Sequence, residues 1–218
     1  MRRLPKDNLI KNELIMKKII GIELNDVVRD YLGQFIECYN KQVDPGFEIE
    51  ADKVDSFDFY EIFPFKSKQE YQEFRYMDAA YDLNALAPLV DSRLQGLISN
   101  WTENILVNLD VDEDPVVVFF SALEIGATIP ATLGFLSDKG FKVREYYFPL
   151  DSATIYDRCD IVITANPNLI SNCPEGKAVI KIETPYNAEA ECELTFASLY
   201  DLLTDNENTL IKLIENKD

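Results

Sequence analysis

A chain containing Lys18-Ile-Ile-Gly-Ile-Glu-Leu-Asn-Asp-Val-Val-Arg-Asp30 has few ways to fold. Ile19, Ile20, Ile22 and Leu24 make a short, β-branched apolar run, which suits one strand buried in a parallel sheet. Glu23, Asn25 and Asp26 follow as a tight polar turn. Val27, Val28, Tyr31, Leu32, Phe35, Ile36 and Tyr39 then recur at three- and four-residue spacing, which predicts the apolar face of a helix. Ligands of open α/β sheets bind at the carboxyl ends of the strands, so the polar turn stands where a site belongs. Asn25 or Asp26 is placed to cap the helix. A buried Glu23 needs a partner, with Arg29, Arg158 or a lysine as candidates, or a raised pKa.

The pattern repeats along the chain. Further strands are predicted at Pro115–Ser121, Phe141–Phe148, Asp160–Thr164 and Ala178–Glu183. Helical spacing falls between them: 92–105, then a helix with Thr128 as N-cap, Pro130 in its first turn and Gly140 at its end. Ser152–Asp157 reads as a short helix or turn, Asn166-Pro167 as a helix start, and 197–216 as a helical tail. Strands alternating with helices predict an α/β, Rossmann-like architecture, a parallel five-stranded sheet flanked by helices. A length of 218 residues suits one such core with an insertion, or two small domains. The expected division is an N-terminal extension over 1–17, a core over 18–43 and 92–218, and a cap-like insertion over 44–91.

The insertion follows the Asp44-Pro-Gly46 turn and has its own character. Phe57, Phe59, Tyr60, Phe63, Phe65, Tyr71, Phe74, Tyr76 and Tyr81 fall within 25 residues, whereas the whole chain has 13 Phe, 11 Tyr and 1 Trp. Charged residues separate the rings, and 66–75 reads as a short amphipathic helix. Such a segment is either a small core built around aromatics or a contact surface, with Phe57, Phe59, Tyr60, Phe63 and Phe65 as its interaction candidates.

The 18–30 segment resembles the first motif of the haloacid dehalogenase (HAD) superfamily, a hydrophobic strand followed by Asp-x-Asp-Gly-Val and a helix. It is most similar to the 5'-nucleotidase-like members, some of them phage-encoded. The resemblance covers most of 18–187 in the order of its elements. It implies a HAD-type sheet with a substrate-selecting cap between the first two motifs. It also implies a first Asp that attacks phosphorus and ligates magnesium, and a second that is the general acid/base. Glu23 and Asn25 occupy those places, and Asp26 that of the glycine. Ser121 matches the phosphate-binding hydroxyl of the second motif in kind, while an ordinary strand-closing serine reads equally well. Lys139 and Lys142 are the candidates, by order, for the lysine of the third motif. Thr164 and Ala165 replace the acids that complete the magnesium site in the fourth.

These replacements point away from hydrolysis. Glu23 is one methylene too long, and misplacing a reacting atom by about 1 Å costs roughly 100-fold in rate. Asn25 cannot transfer a proton, a contribution of about 100- to 10,000-fold. The positions Glu23, Asn25, Ser121, Thr164 and Ala165 are therefore expected to be vestigial, with no catalytic residue and no cofactor. The expected function is a catalytically degenerate HAD-fold protein acting in assembly or interaction, with a phage virion protein as one setting. Two alternatives stand beside it. One is a magnesium-dependent phosphohydrolase using Glu23. The other is a non-catalytic phosphate or nucleotide binder using Ser121 and Lys139 or Lys142.

Composition narrows the partners. With 21 basic and 39 acidic residues the formal charge is −18, which disfavours direct nucleic-acid binding and leaves protein partners or self-assembly. No apolar run approaches the roughly 20 residues needed to cross a bilayer, and no signal-peptide core follows the basic start. With no histidine and no Cys-x-x-Cys pair, the 4 cysteines read as reduced thiols of a cytoplasmic protein; the resemblance to phage-encoded members implies a host cytoplasm or a virion.

Overall fold

The computed structural model describes residues 18–100, 116–141 and 145–215. The expected 1–17 extension, the far half of the expected 92–105 helix and Lys142 lie outside them.

The first strand, β1 (Ile19–Glu23), leads into α1 (Tyr31–Gln42). The 44–91 segment contributes α2 (Phe59–Ile62), α3 (Lys68–Glu73), a π-turn at Phe74–Asp78 and α4 (Ala80–Ala85). After α5 (Leu94–Asn100) come β2 (Val116–Phe120), α6 (Thr128–Asp138), β3 (Glu145–Tyr147), α7 (Ile155–Arg158), β4 (Ile161–Thr164) and α8 (Pro167–Ser171). The chain closes with β5 (Ala178–Ile182), β6 (Thr195–Phe196), α9 (Leu199–Leu203) and α10 (Thr209–Glu215).

All strand pairs are parallel, in the order β3-β2-β1-β4-β5-β6. The sheet thus has six strands where the sequence predicts five. β6 escapes notice because two residues carry no alternation; backbone bonds from Lys181 N to Leu194 O and Glu183 N to Phe196 O fix it on the edge.

Period-two alternation sends the strands' side chains to two buried faces. Ile20, Ile22, Phe119, Ile161, Ile163, Ile180 and Ile182 join the large core with α1, the 44–91 segment, α9 and α10. Phe120 and Val162 point the other way, to Ile155, Tyr156, Cys159 and Leu169 of the α7–α8 side. Gly21 is required there: a Cβ would sit 2.8 Å from Cys159 Sγ.

The helix after β1 starts later than its apolar spacing suggests. Val27 and Val28 belong to a tight turn, in which Val28 N and Arg29 N both donate to Leu24 O. Asp26 holds a left-handed conformation (φ 56°), which explains why the related motif uses glycine at this place. Two carboxylates then cap α1. Asp30 Oδ1 accepts from Gly33 N at 2.8 Å, and Asp26 Oδ1 from Leu32 N at 2.8 Å.

Most rings of the 44–91 segment turn inward. Phe35 on α1, fully buried, has ring centroids of Phe59, Phe63 and Phe74 at 5.0, 4.7 and 5.3 Å. Of the interaction candidates, Phe59, Phe63 and Phe65 are therefore core residues. Phe57 is 39% exposed, and Tyr60 is half-buried. Among the described residues no helix is long and apolar enough to cross a membrane, and all four cysteines are free thiols.

Candidate functional site

Glu23, Ser121 and Thr164 meet at the carboxyl edge of the sheet. Glu23 pairs in register with Phe120, the residue before Ser121, and Thr164 ends the neighbouring strand. The Thr164 hydroxyl donates to Glu23 Oε2, which also accepts from Ala165 N at 3.3 Å. Among the described residues no cation meets Glu23; of the two expectations for a buried carboxyl here, a basic partner (Arg29, Arg158 or a lysine) or a raised pKa, the second holds. Arg158 binds Glu145 at the surface instead. Burial pushes the Glu23 carboxyl up to about 7; the Thr164 hydroxyl opposes this and the nearby Asp26 adds to it. Asp26 is itself raised to about 6 by burial, against the hydrogen bonds from Leu32 N and the Tyr186 hydroxyl. The Tyr186 hydroxyl donates to Asp26 Oδ2 at 2.8 Å.

Arg29 instead organises the β2–α6 side, fully buried. Its Nε donates to Asn25 Oδ1 at 2.7 Å, and its Nη1 to Thr132 Oγ1 at 2.8 Å and to Asn84 O at 3.2 Å. Its Nη2 meets Glu124 Oε1 at 2.7 Å and Ser121 Oγ at 3.3 Å. Ser121 Oγ in turn donates to Glu124 Oε1 at 2.7 Å. Burial disfavours the charged form of Glu124, but the adjoining guanidinium and hydroxyls hold its carboxyl below the usual range. Ser121, the candidate for phosphate contact, and Asn25, in the second acid's place, are thus tied into an internal ion-pair network.

A cavity of about 160 Å³ opens above this edge. Glu23, Asn25, Asp26, Asn166 and Asn168 line it on one side; the 44–91 segment supplies Phe57, Phe59, Tyr71 and Arg75, and Tyr31, Tyr186, Ala122, Leu123 and Ser152 complete the walls. Asn166 caps α8 as expected, its Oδ1 accepting from Asn168 N at 2.9 Å with Pro167 in the first turn. Lys139 is absent from the cavity. It closes α6, with Nζ on Asp138 at 2.9 Å.

No family model matches the chain, and neither does any curated protein. Among solved structures it is similar to a protein of Burkholderia xenovorans LB400 assigned as a haloacid dehalogenase-like hydrolase, with a TM-score of 0.55 and 7% identity over 88% of this chain and 98% of that one. The fold is HAD-like. Similarity extends to YfnB of Bacillus subtilis, assigned as a HAD hydrolase and solved with magnesium, with a TM-score of 0.48 and 11% identity over 85% and 96% of the two chains.

The HAD-like fold raises the question of magnesium, which takes about six oxygen ligands in near-octahedral array. The residues present do not fit it. Both Asp26 oxygens and one Glu23 oxygen accept protein hydrogen bonds, Asn25 Oδ1 is held by Arg29, and Thr164 and Ala165 bring no acid. Among the described residues no set of three His, Cys, Asp or Glu side chains could hold a metal ion.

Glu124, Arg75 and Tyr186 are among the participants that were not singled out in the sequence. Glu124 stands three residues after Ser121, a spacing that carries a signal once Ser121 is suspected. Arg75 and Tyr186 reach the cavity from distant segments and leave no local trace.

Proposed function

We propose that this chain is a HAD-fold protein that does not hydrolyse phosphate esters and works through binding, as an interaction or assembly component. One observation carries this: the side chains at the reactive edge are bonded to the protein itself. Glu23 is held by Thr164 and Ala165, and Asn25 and Ser121 by Arg29. To attack phosphorus Glu23 would have to break away from a neighbouring strand, and no side chain in the second acid's place can carry a proton. The formal charge of −18 favours partners with basic surfaces. The phage-virion setting comes from the resemblance of the first motif alone.

A magnesium-dependent phosphate-release screen on the wild type and on Glu23→Asp/Asn25→Asp tests the reading. The wild type is expected to be silent, and turnover that disappears in Glu23→Gln would overturn it in favour of a phosphohydrolase. Light scattering of the purified chain tests the assembly role, against which a strict monomer found in no complex would count.

A further inference from the structure

Among the residues lining the cavity Arg75 is the single basic side chain. It forms no ion pair among the described residues. Its one hydrogen bond, from Nη1 to the Tyr71 hydroxyl, is long at 3.4 Å. The guanidinium lies 5.8 Å from the Tyr31 ring centroid and 5.1 Å from that of Tyr76, so aromatic faces hold it, and its other N–H donors have no partner among the described residues. Of the described arginines, Arg29, Arg93 and Arg158 each meet a carboxylate and Arg75 does not. Asn25 Nδ2, Asn166 Nδ2 and the side-chain Nδ2 of Asn168 likewise have no partner among the described residues, so the lining offers donors to the same space.

We propose that this cavity is a receptor site for a small aromatic carboxylate, its carboxylate paired with the Arg75 guanidinium and its ring lodged among Tyr31, Phe59 and Tyr186. The inference rests on the non-hydrolytic reading above and names the ligand class of the same site. Charge favours a monoanion over a dianion: Arg75 is the basic side chain of a lining that also holds Glu23 and Asp26, and a phosphate dianion would bring more negative charge beside those two acids than a carboxylate does. The planar fork of arginine matches a carboxylate with two parallel hydrogen bonds. Size selects a single ring. A void of about 150 Å³ accommodates benzene, whereas drug-sized ligands occupy roughly 300–1,000 Å³, so a nucleotide exceeds the 160 Å³ here. The lining offers aromatic surface to such a ring: Tyr31 stacks on Phe59 at 6.3 Å and Tyr186 meets Phe59 edge-on at 6.1 Å, and all three border the cavity. The acidity of the whole chain does not forbid an anion at short range, because exposed charges are screened beyond about 8 Å at physiological ionic strength.

Calorimetric titration of the full chain with sodium benzoate, benzamide and inorganic phosphate tests the assignment. Benzoate is expected to bind saturably with one site per chain, and benzamide, which keeps the ring but loses the charge, at least tenfold more weakly. Arg75→Met should cost at least tenfold in benzoate affinity and Arg75→Lys less, with circular dichroism verifying that both variants fold. The proposal is overturned by equal affinities for benzoate and benzamide, by tighter binding of phosphate, by benzoate binding indifferent to Arg75→Met, or by no saturable benzoate binding. Magnesium-dependent phosphate release by the wild type would sink the non-hydrolytic reading while leaving a benzoate result intact, so the two fail separately.

Discussion

Glu23 and Glu124 are both 5% exposed at the same edge of one sheet, yet they have opposite fates. Glu124 has a guanidinium 2.7 Å away and two hydroxyls, and its carboxyl is held below the usual range. Glu23 has a hydroxyl and a peptide N–H but no cation, and rises to about 7. Burial alone therefore does not mark a functional carboxyl. The paired acid belongs to the scaffold, and the unpaired one faces the cavity.

Removing the pairing should give the largest effect. Arg29→Met strands a buried charge on Glu124, and a loss of about 3–5 kcal/mol is expected in urea unfolding. Arg29→Met/Glu124→Leu should recover most of it, since an apolar pair of similar volume is often neutral. A double variant as unstable as the single one would show that Asn25, Ser121 and Thr132 depend on Arg29 more than Glu124 does.

Glu23 should respond to pH in the opposite sense to a paired acid. Its carboxyl titrates ordinarily near 4.5 and in the fold near 7, so the folded chain holds the proton more tightly. The associated stability is whole below about 4.5, declines as pH rises, and is gone above 7, about 3 kcal/mol in all. Asp26 contributes with the same sign between 3.8 and about 6. In Glu23→Gln the slope between pH 6 and 7 should vanish, and at pH 8 the variant should be more stable than wild type by about 1–3 kcal/mol. Unfolding midpoints across pH 4–8 check both; an unchanged slope would place the titration elsewhere.

The smallest effect concerns the hydroxyl that partly restrains Glu23. Thr164→Val removes it, costing about 1 kcal/mol and moving the Glu23 carboxyl still higher, which side-chain carbon chemical shifts would register.

These residues also mark what could be read from sequence. Ile19–Glu23 and the strands around Val118, Ile163 and Ile180 were legible because a strand buried on both faces is a continuous apolar run. The site's edge was legible because Glu23 and Thr164 end such runs. The Arg29–Glu124 pair was not: 95 residues separate its members, and only the sheet's strand order brings them together. The ring-rich segment announced itself by composition, but whether Phe59, Phe63 and Phe65 turn in or out depends on Phe35, on a different helix. β6 carries too few residues for any period to appear.

The π-turn at Phe74–Asp78 has one last consequence. Its closing bond, from Ala79 N to Phe74 O, spans five residues rather than four, so the backbone there holds one residue more than an α-helical turn needs. Each residue advances an α-helix by about 100°, so dropping a single codon here would rotate the segment before it against α4. Tyr71 and Phe74 could not then keep their seats while Ala80 and Leu83 kept theirs. The lone positive charge over the cavity is thus indexed by chain length as much as by the choice of amino acid, and descendants of this gene could re-aim it through an insertion or deletion that no substitution would mimic.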